Sequence, residues 1–532
     1  MNLKSAPLFT FLIAIMFIIV PCLSIQGQNL VNGNISWLLI AAERLLSGQK
    51  LTEHIYETNP PLSIFLYIPH ILFSKAIGLP ITVGSFYFTL MLTILSTFVT
   101  HHIIKPFSFL SNTDKKMFVL GYFIAVTIST TMFFSEREHV MILALIPFVL
   151  CQYAMTRHIK IRKNILMPVM IIGAICILIK PHYGLLPTVF LIDRMIRQKR
   201  FNIFFDIDFL TLSVMTLAYI GIIFTFFYDY IEVIFPDVLT LYATSMQPTK
   251  VIRLVQTYMF ATIILSIMEV FLEDLNKEKK SFLLFLYVCA LLCLIPYFVQ
   301  MKGYFNHIIP VYAFLICALT LSIEFRVANF YKRLKAVYLE ILCIVIPLSC
   351  LLLIISIQSP LNPKFPKQTD IPNLPVAKFL EKECSKPCTF FAFHGNIEII
   401  NPTIAYMGYT HATRFPTLWF IPKILKHTNN NADTEEKTFY QGLKNKYTQF
   451  VADDIEYYKP SIMLIASELK IASPAPFDFF EFFNENKKFR DIINEHYEKG
   501  EQFQFDQADY FKGTSFDYPA ILTYDIYRRK KH

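Results

Sequence analysis

The stretch "EHIYETNPPLSIFLYIPHILFSKAIG", residues 53–78, places a carboxylate and a double proline directly before an apolar run. Glu57 stands three residues before the first proline of the pair, and a Gly-Leu-Pro sequence ends the run. Pro61 and Pro69 interrupt it, and proline breaks a helix interior because it lacks an N–H and clashes with the preceding turn. We therefore expect residues 61–78 to form a helix that lies in the membrane interface or re-enters it, and not a span.

The composition as a whole is that of a membrane protein. Of the 532 residues, 54% are hydrophobic and only 17% are charged, whereas soluble domains carry about 25% charged residues. The mean hydropathy is +0.45. Apolar runs recur up to residue 357, and several reach the roughly 20 residues that a membrane-spanning helix needs. The sequence predicts a mainly α-helical polytopic membrane protein, and basic cytoplasmic loops explain the net charge of +9 better than nucleic-acid binding does.

With residues 61–78 left out, eleven runs are predicted to span the membrane. They lie at 8–25, 81–104, 117–134, 140–156, 164–179, 184–193, 207–227, 251–272, 281–299, 308–323 and 336–357. Lys and Arg then gather in one set of loops, whereas the opposite loops carry mainly Asp and Glu. The positive-inside rule places the N-terminus in the cytoplasm and the acidic loops outside. Counting residues 61–78 as a span would reverse every later loop and destroy this pattern.

The chain divides into a membrane domain, a linker and an outer domain. Residues 1–357 form the membrane domain, with the first outer loop and its interfacial helices at 26–80, and the proline-rich linker covers 358–376. Residues 377–532 are predicted to form a small extracytoplasmic α/β domain, because strand-like and helix-like segments mix there. The strands are predicted at 388–393, 461–467 and 521–529, a helix at 477–497 and a polar loop at 426–437.

Two cysteines lie in this polar part. Cys384 and Cys388 form the sequence "CSKPC" and are expected to close a small disulfide loop in an oxidising compartment. No His/Cys pair follows them at a spacing typical of zinc sites, so no metal site is predicted there.

The predicted outer loops each carry one polar cluster at the end of a span. These are "NGNISW" with Asn34, the turn with Glu57, "SEREH" with Arg137, Glu138 and His139, "IKPHYG" with Lys180 and His182, and "KGYFNHIIP" with Lys302, Tyr304 and His307. Ionisable groups at membrane depth are costly and therefore indicate function, although any single one of them is equally well explained as a marker of the water interface.

This mixture of groups is suited to a substrate that carries a phosphate and a hydroxyl. Cations and imidazoles bind phosphate oxygens and stabilise a phosphate as the leaving group. A carboxylate such as Glu57 or Glu138 accepts the proton of an attacking hydroxyl. A phosphate that is presented at the outer membrane face and attached to an apolar group indicates a lipid phosphate.

In these motifs the chain resembles the C-type (GT-C fold) glycosyltransferases that use polyprenyl-phosphate sugars, which include protein O-mannosyltransferase-like enzymes and the transferase that adds aminoarabinose to lipid A. The resemblance lies in "ISWLLIAAERLLSGQKLTEHIYETNPPLSIFLYIP", "SEREH", "IKPHYG" and "KGYFNHIIP" and covers residues 1–357. It implies two interfacial helices in the first outer loop. It also implies an inverting transfer from a polyprenyl-phosphate sugar to an envelope lipid, glycan or protein, in the cytoplasmic (inner) membrane. No cofactor is implied, and a divalent cation stays an open alternative.

The chain departs from this family at one position. Where relatives carry an Asp before the first interfacial helix, this chain has Asn32 and Asn34. Asn has no group that accepts a proton at neutral pH, so the expected bases are Glu57 and then Glu138, and the alternative for Glu57 is a positioning role in its turn. By the resemblance, Arg137, Lys180 and His182 would contact the lipid phosphate.

The remaining site predictions are binding roles. Lys302 and His307 would contact phosphate or acceptor, Tyr304 lies with them, and Asn34 would position sugar or acceptor by hydrogen bonds. His139 is equally well explained as a helix-end residue. The alternative functions are a transporter or flippase for a lipid-linked sugar and a non-catalytic GT-C-like membrane protein.

Overall fold

The computed structural model describes residues 22–28, 31–242, 275–330, 367–428, 434–466, 477–510 and 521–530, together with residues 19, 248 and 252. The chain forms two compact units. The first contains residues 1–27, 85–225 and 246–359, and the second contains residues 28–84, 226–245 and 360–532. The predicted spans 251–272 and 336–357, and nearly all of 8–25, lie outside the described residues.

Helices predominate in the described residues. The α-helices of at least four residues are, in chain order, α1 (Gly33–Leu46), α2 (Leu62–Phe65), α3 (Ile68–Ala76), α4 (Ile81–Ile104), α5 (Asn112–Thr127), α6 (Arg137–Thr156), α7 (Lys163–Ile179), α8 (Leu185–Gln198), α9 (Ile207–Phe226), α10 (Lys277–Gln300), α11 (Ile309–Phe330), α12 (Pro375–Glu383), α13 (Ile397–Met407), α14 (Ile421–Thr428), α15 (Thr434–Tyr458), α16 (Phe479–Asn484) and α17 (Lys487–His496). The strands are β1 (Thr389–Phe393), β2 (Thr410–His411), β3 (Ile462–Ala466), β4 (Tyr497–Asp506) and β5 (Ile521–Arg529).

Five of the described helical segments are long and apolar enough to cross a membrane. They are Ile81–Ile104, Arg137–Thr156, Ile207–Phe226, Lys277–Gln300 and Phe305–Phe325. Each coincides with a predicted span, and the 17-residue α7 is apolar as well. The described residues support a polytopic membrane architecture. The number of eleven spans and the cytoplasmic position of the N-terminus stay predictions.

The segment after the double proline is not one long helix. It breaks at Leu66–Tyr67 into α2, with four residues, and α3, with nine. At 1.5 Å per residue, nine residues extend roughly 14 Å, which is about half of the hydrocarbon thickness. Neither helix is long enough to span a membrane by itself, as the interfacial interpretation requires.

The core of the first unit is apolar side chains from several helices. Phe118, Met141, Leu186, Phe282 and Phe314 belong to one continuous cluster and are completely buried. Polar pairs hold the helix ends in this unit. The side chain of Ser111 caps the start of α5, and Lys279 Nζ lies 2.8 Å from the carboxylate of Asp114 in the same turn.

The second unit contains a five-stranded sheet with the strand order β2-β1-β3-β5-β4. Strands β1, β2 and β3 are parallel, whereas β5 runs antiparallel to both β3 and β4. Strand β3 is buried along its whole length, as expected of a strand covered on both faces. The C-terminal part therefore combines helices with a small sheet.

The three predicted strands appear as β1, β3 and β5, while other boundaries differ. The predicted helix 477–497 is two helices, because the side chain of Asn486 accepts a hydrogen bond from the N–H of Phe489 and starts α17 as a new helix. The loop predicted at 426–437 is too long, since α14 continues to Thr428 and α15 begins at Thr434. The β4 strand and the 25-residue α15 were not predicted.

The first outer loop packs with the C-terminal residues. Its first described helix is α1, in which the side chain of Trp37 is 2% exposed. Gly33 shows how close the packing is, since a Cβ added there would lie 2.5 Å from the carbonyl oxygen of Ile397 at the start of α13. Residues 26–80, predicted as part of the membrane domain, thus largely share a compact unit with residues 360–532.

Candidate active site

In the first unit, three of the predicted loop motifs meet at Glu138. This residue is the second of α6, and its side chain is completely buried. A carboxylate in the first helical turn is favoured by the positive end of the helix dipole. Its Oε1 lies 2.9 Å from Lys180 Nζ, accepts a hydrogen bond of 3.1 Å from Asn306 Nδ2 and lies 3.5 Å from His307 Nε2.

The partners of Glu138 come from two other helix ends. Lys180 follows the last residue of α7, whereas Asn306 and His307 lie in the single 3₁₀ turn Phe305–Ile308 that precedes α11. These three side chains are at least nine-tenths buried. Residues of "SEREH", "IKPHYG" and "KGYFNHIIP" therefore lie together within this unit.

The loops are also held to one another. The hydroxyl of Tyr183 donates a hydrogen bond of 2.9 Å to the backbone oxygen of His307. Gln300 Nε2 lies 2.9 Å from His182 Nε2. Because an amide nitrogen donates hydrogen bonds and accepts none, His182 Nε2 is the acceptor of this bond. His182 is exposed at the surface of this unit, yet partial desolvation of its ring, together with the charge of Lys180, lowers its pKa below the usual value. His182 is therefore a polar hydrogen-bonding group and not a cation.

Arg137 and Lys302 supply further positive charge. Arg137 is 6% exposed, and its guanidinium lies 3.5 Å from the carboxylate of Glu136. Lys302 is also buried, and this burial lowers its pKa to about 8. Tyr304 is half-exposed, with its ring edge-on to His307 at a centroid distance of 5.6 Å.

His139 has a different environment from the other predicted binding residues. It is completely buried, its Nδ1 accepts a hydrogen bond from the N–H of Ser135, and its Nε2 donates to the backbone oxygen of Val126. Both ring nitrogens thus hold the turn that leads into α6. This geometry fits the helix-end role rather than ligand binding.

In the second unit, the carboxylate of Glu57 holds the turn before the double proline. Its Oε2 accepts a hydrogen bond of 2.7 Å from Trp37 Nε1, and its Oε1 accepts from both the backbone N–H and the side-chain amide of Asn59. Glu57 is 4% exposed. One oxygen is engaged by the turn and the other by α1, which fits the positioning role that the sequence left open.

The neighbouring Tyr56 connects this turn to the C-terminal residues. Its N–H donates to the backbone oxygen of Arg414 at 2.7 Å, and its hydroxyl donates to the carboxylate of Asp237. Lys446 Nζ lies 2.7 Å from the same carboxylate. Burial and the charge of Asp237 raise the pKa of Tyr56, so this hydroxyl stays protonated.

Asn34 lies at the start of α1, and a carboxylate of α13 that sequence reasoning missed contacts the same helix start. The side chain of Asn32 caps this helix by accepting from the N–H of Ile35, and Asn34 is half-buried in the first turn. The backbone N–H of Gly33 donates a hydrogen bond of 2.7 Å to Glu398 Oε2. No local pattern indicated Glu398, because 365 positions separate the two partners of this bond.

Two further observations concern cysteines and possible metal ligands. Cys384 and Cys388 form the predicted disulfide. Among the described residues, no group of three or more His, Cys, Asp or Glu side chains is placed to hold a metal ion.

The chain is similar to two crystal structures of ArnT from Cupriavidus metallidurans. The structure bound to undecaprenyl phosphate matches with a TM-score of 0.47 and 12% identity, covering 87% of this chain and 94% of that chain. The apo structure matches with a TM-score of 0.48 and 11% identity, covering 86% and 93%. No protein-family model and no curated protein matches the sequence. At these scores the likeness decides neither substrate nor reaction.

Proposed function

We propose that this protein is an integral-membrane glycosyltransferase of the GT-C type. It moves a sugar from a polyprenyl-phosphate donor to an envelope lipid, glycan or protein, with inversion at the anomeric carbon. The observation that carries the proposal is the cluster around Glu138, in which Lys180, Asn306 and His307 meet at the ends of apolar helices. Such buried charges are costly in a membrane protein, and their presence therefore indicates a functional site.

The cations of this cluster are proposed to bind the donor phosphate. Lys180 Nζ has three N–H donors, and the contact with Glu138 engages one of them. Arg137 adds a charge that acts on the same carboxylate. Together they would stabilise the negative charge on the departing phosphate, which is the role of cations in a water-excluded site.

The remaining predicted residues are proposed to bind or support substrate, each within its own unit. Lys302 and His307 contact phosphate or acceptor, His182 and Tyr304 donate hydrogen bonds, and Asn34 positions sugar or acceptor. Glu138 keeps Lys180 in place, and Glu57 keeps the turn before the double proline in place. It stays a prediction that Glu57 or Glu138 accepts the proton of the attacking hydroxyl.

The position of the charges favours transfer over transport. Transporter sites lie near the bilayer midplane at interrupted helices. Glu138, Lys180 and His307 lie instead at helix ends. A surface position suits a reaction between a lipid-linked donor and an acceptor outside the membrane.

We also propose that the C-terminal residues lie outside the cytoplasm, since the Cys384–Cys388 disulfide belongs to oxidising compartments. A reporter that is active only outside the cytoplasm, fused after residue 360, should be active. The same reporter fused after Lys199, in a predicted cytoplasmic loop, should be silent. The reverse pattern would overturn the proposed orientation.

Donor binding should weaken as the pH rises through about 8. Lys302 carries its charge below its pKa of about 8 and loses it above, whereas a phosphate monoester has its last pKa near about 6 and keeps a constant charge in this range. Thermal stabilisation of the purified protein by polyprenyl phosphate, measured from pH 7 to 9.5, reports the affinity.

The Lys302→Arg variant is the matched control, because a guanidinium stays charged over the whole range. Its stabilisation by polyprenyl phosphate should not change between pH 7 and 9.5. An unchanged pH dependence in this variant would show that Lys302 does not bind the phosphate.

A further inference from the structure

The connection between α8 and α9, in the first unit, exposes a cluster of aromatic side chains. The segment 201–205, called the aromatic turn, contains a single 3₁₀ turn in which Ile203 is buried. By contrast, Phe201, Phe204 and Phe205 are 78%, 52% and 79% exposed. An exposed patch of large apolar side chains marks a contact with a membrane or with another protein.

Polar contacts hold the aromatic turn in place. The N–H of Asp206 donates a hydrogen bond of 2.9 Å to the backbone oxygen of Ile203, and Arg200 forms an ion pair with the carboxylate of Asp206. Arg194, which is 1% exposed, lies 3.4 Å from the same carboxylate. The exposed phenylalanines are therefore presented by a backbone that is fixed on both sides of Ile203.

The loop that follows α6 lies beside the aromatic turn. Gln198, the last residue of α8, donates hydrogen bonds from its Nε2 to the backbone oxygens of Met155 and Thr156, at 3.1 Å and 3.4 Å. Met155 and Thr156 are the last two residues of α6. The loop after α6 and the turn after α8 therefore leave their helices side by side, at the same end of this unit.

These two neighbouring segments carry exposed cations. Lys160 and Arg162 follow α6, Lys199 follows α8, and all three are exposed. None of the three forms an ion pair with another described residue. The nearby acids Asp193 and Asp206 are engaged by arginines instead. The surface thus combines apolar aromatic rings with positive charge that the protein itself does not neutralise.

The next helix indicates what covers the aromatic turn. Helix α9 begins at Ile207, directly after the turn, and is long and apolar enough to cross a membrane. Its side chains Leu210, Val214 and Leu217 are exposed, as expected of a helix side that faces lipid. The aromatic turn stands at the start of this span, where aromatic side chains typically meet the lipid headgroups.

This surface is separate from the candidate phosphate site. Arg162 directly precedes α7, whereas Lys180 follows the last residue of that helix. At 1.5 Å per residue, the 17 residues of α7 place its two ends roughly 26 Å apart. A phosphate bound beside the aromatic turn is therefore a different one from the phosphate that Lys180 is proposed to bind.

We propose that the aromatic turn, together with Lys160, Arg162 and Lys199, binds phospholipids with a net negative headgroup, such as phosphatidylglycerol. The phenylalanine rings lie among the acyl chains close to the headgroups, and the cations bind phosphate oxygens. Basic residues at the ends of spans recognise anionic headgroups in this way, and the predicted cytoplasmic side of a membrane carries the negative surface charge that they need. Such binding does not depend on the glycosyl transfer.

Fluorescence quenching of a tryptophan placed in the turn tests this assignment. The purified full chain with Phe205→Trp would be reconstituted in phosphatidylcholine that contains either brominated phosphatidylglycerol or brominated phosphatidylcholine at the same fraction. Bromine on an acyl chain quenches indole fluorescence on contact, so the fluorescence added to that of the parent protein reports which lipid lies beside the turn. Phosphatidylglycerol should quench more strongly, with at least about a fivefold preference, which is what one cation near an anionic surface gives.

Leu217→Trp is the matched control for position. Leu217 is exposed on α9 and lies ten residues after its start, roughly 15 Å along the helix from the aromatic turn. The two brominated lipids should quench this tryptophan equally, because it meets acyl chains and no cation. Added salt should weaken the preference of Phe205→Trp for phosphatidylglycerol and leave Leu217→Trp unchanged.

Removal of the charges tests the cations. Lys160→Gln, Arg162→Gln and Lys199→Gln, combined in the protein with the turn tryptophan, should abolish the preference for phosphatidylglycerol. Lys437→Gln and Lys487→Gln, which remove two exposed cations of the other unit, should leave the preference unchanged.

Each contrary outcome overturns a definite statement. Equal quenching of Phe205→Trp by the two lipids would refute the recognition of anionic headgroups. Absence of quenching by either lipid would show that the turn lies outside the membrane and that its phenylalanines serve another protein. A preference that survives the removal of Lys160, Arg162 and Lys199 would refute the role of these cations.

Discussion

The Lys180→Met variant is expected to release polyprenyl phosphate at least about a hundredfold more slowly than the wild type. Lys180 is proposed to stabilise the departing phosphate, and removal of one such group from a water-excluded site costs about 10²- to 10³-fold in rate. The same change leaves the buried Glu138 without its closest cation, at 2.9 Å. Breaking a buried ion pair in this way destabilises a protein by about 3–5 kcal/mol.

A double variant separates these two effects. Lys180→Met combined with Glu138→Gln removes both charges, so stability should recover while release stays low. Lys105→Met, at an exposed cation of another loop, should leave both unchanged. Release at half the wild-type rate or more in the single Lys180→Met variant would contradict the phosphate role.

The Arg194→Leu variant should lower the free energy of unfolding by about 3–5 kcal/mol. Arg194 is 1% exposed and Asp208 is completely buried. The guanidinium Nη2 lies 2.7 Å and 2.8 Å from the two oxygens of that carboxylate. Gln152 Nε2 donates to Asp208 at 2.8 Å but carries no charge, so it cannot replace the arginine. Unfolding by SDS in mixed micelles measures the loss.

Removal of both charges should reverse most of this loss. An apolar pair of similar volume is often as stable as a buried ion pair, because neither charge has to leave water. We therefore expect Arg194→Leu/Asp208→Leu to be clearly more stable than Arg194→Leu alone. A single variant within about 0.5 kcal/mol of the wild type, the size of an ordinary surface substitution, would refute the importance of the pair.

Much of the fold was predictable because it depends on local patterns. The membrane-spanning helices follow from apolar length, and the break at Leu66–Tyr67 follows from the prolines on either side of it. Strands β1, β3 and β5 follow from short β-branched and aromatic runs. The long α15 escaped prediction because its many polar residues hide the periodicity of its buried side, which includes Tyr447 and Val451.

The candidate site was predictable in part for the same reason. Lys180, Glu138 and His307 stand out as ionisable residues at the ends of apolar runs, and the structure brings them together. Their partner Asn306 and the carboxylate Glu398 did not stand out. An amide or an acid in polar surroundings has no signature of its own, and the Gly33–Glu398 contact depends on tertiary packing alone.

The central claim is tested most directly by the products that the purified wild-type protein forms from polyprenyl-phosphate sugars. We predict that one polyprenyl phosphate is released for each sugar transferred and that the product has the opposite anomeric configuration to the donor, as observed by NMR. Failure to release polyprenyl phosphate from any hexose- or pentose-loaded donor, or transfer with retained configuration, would contradict the account.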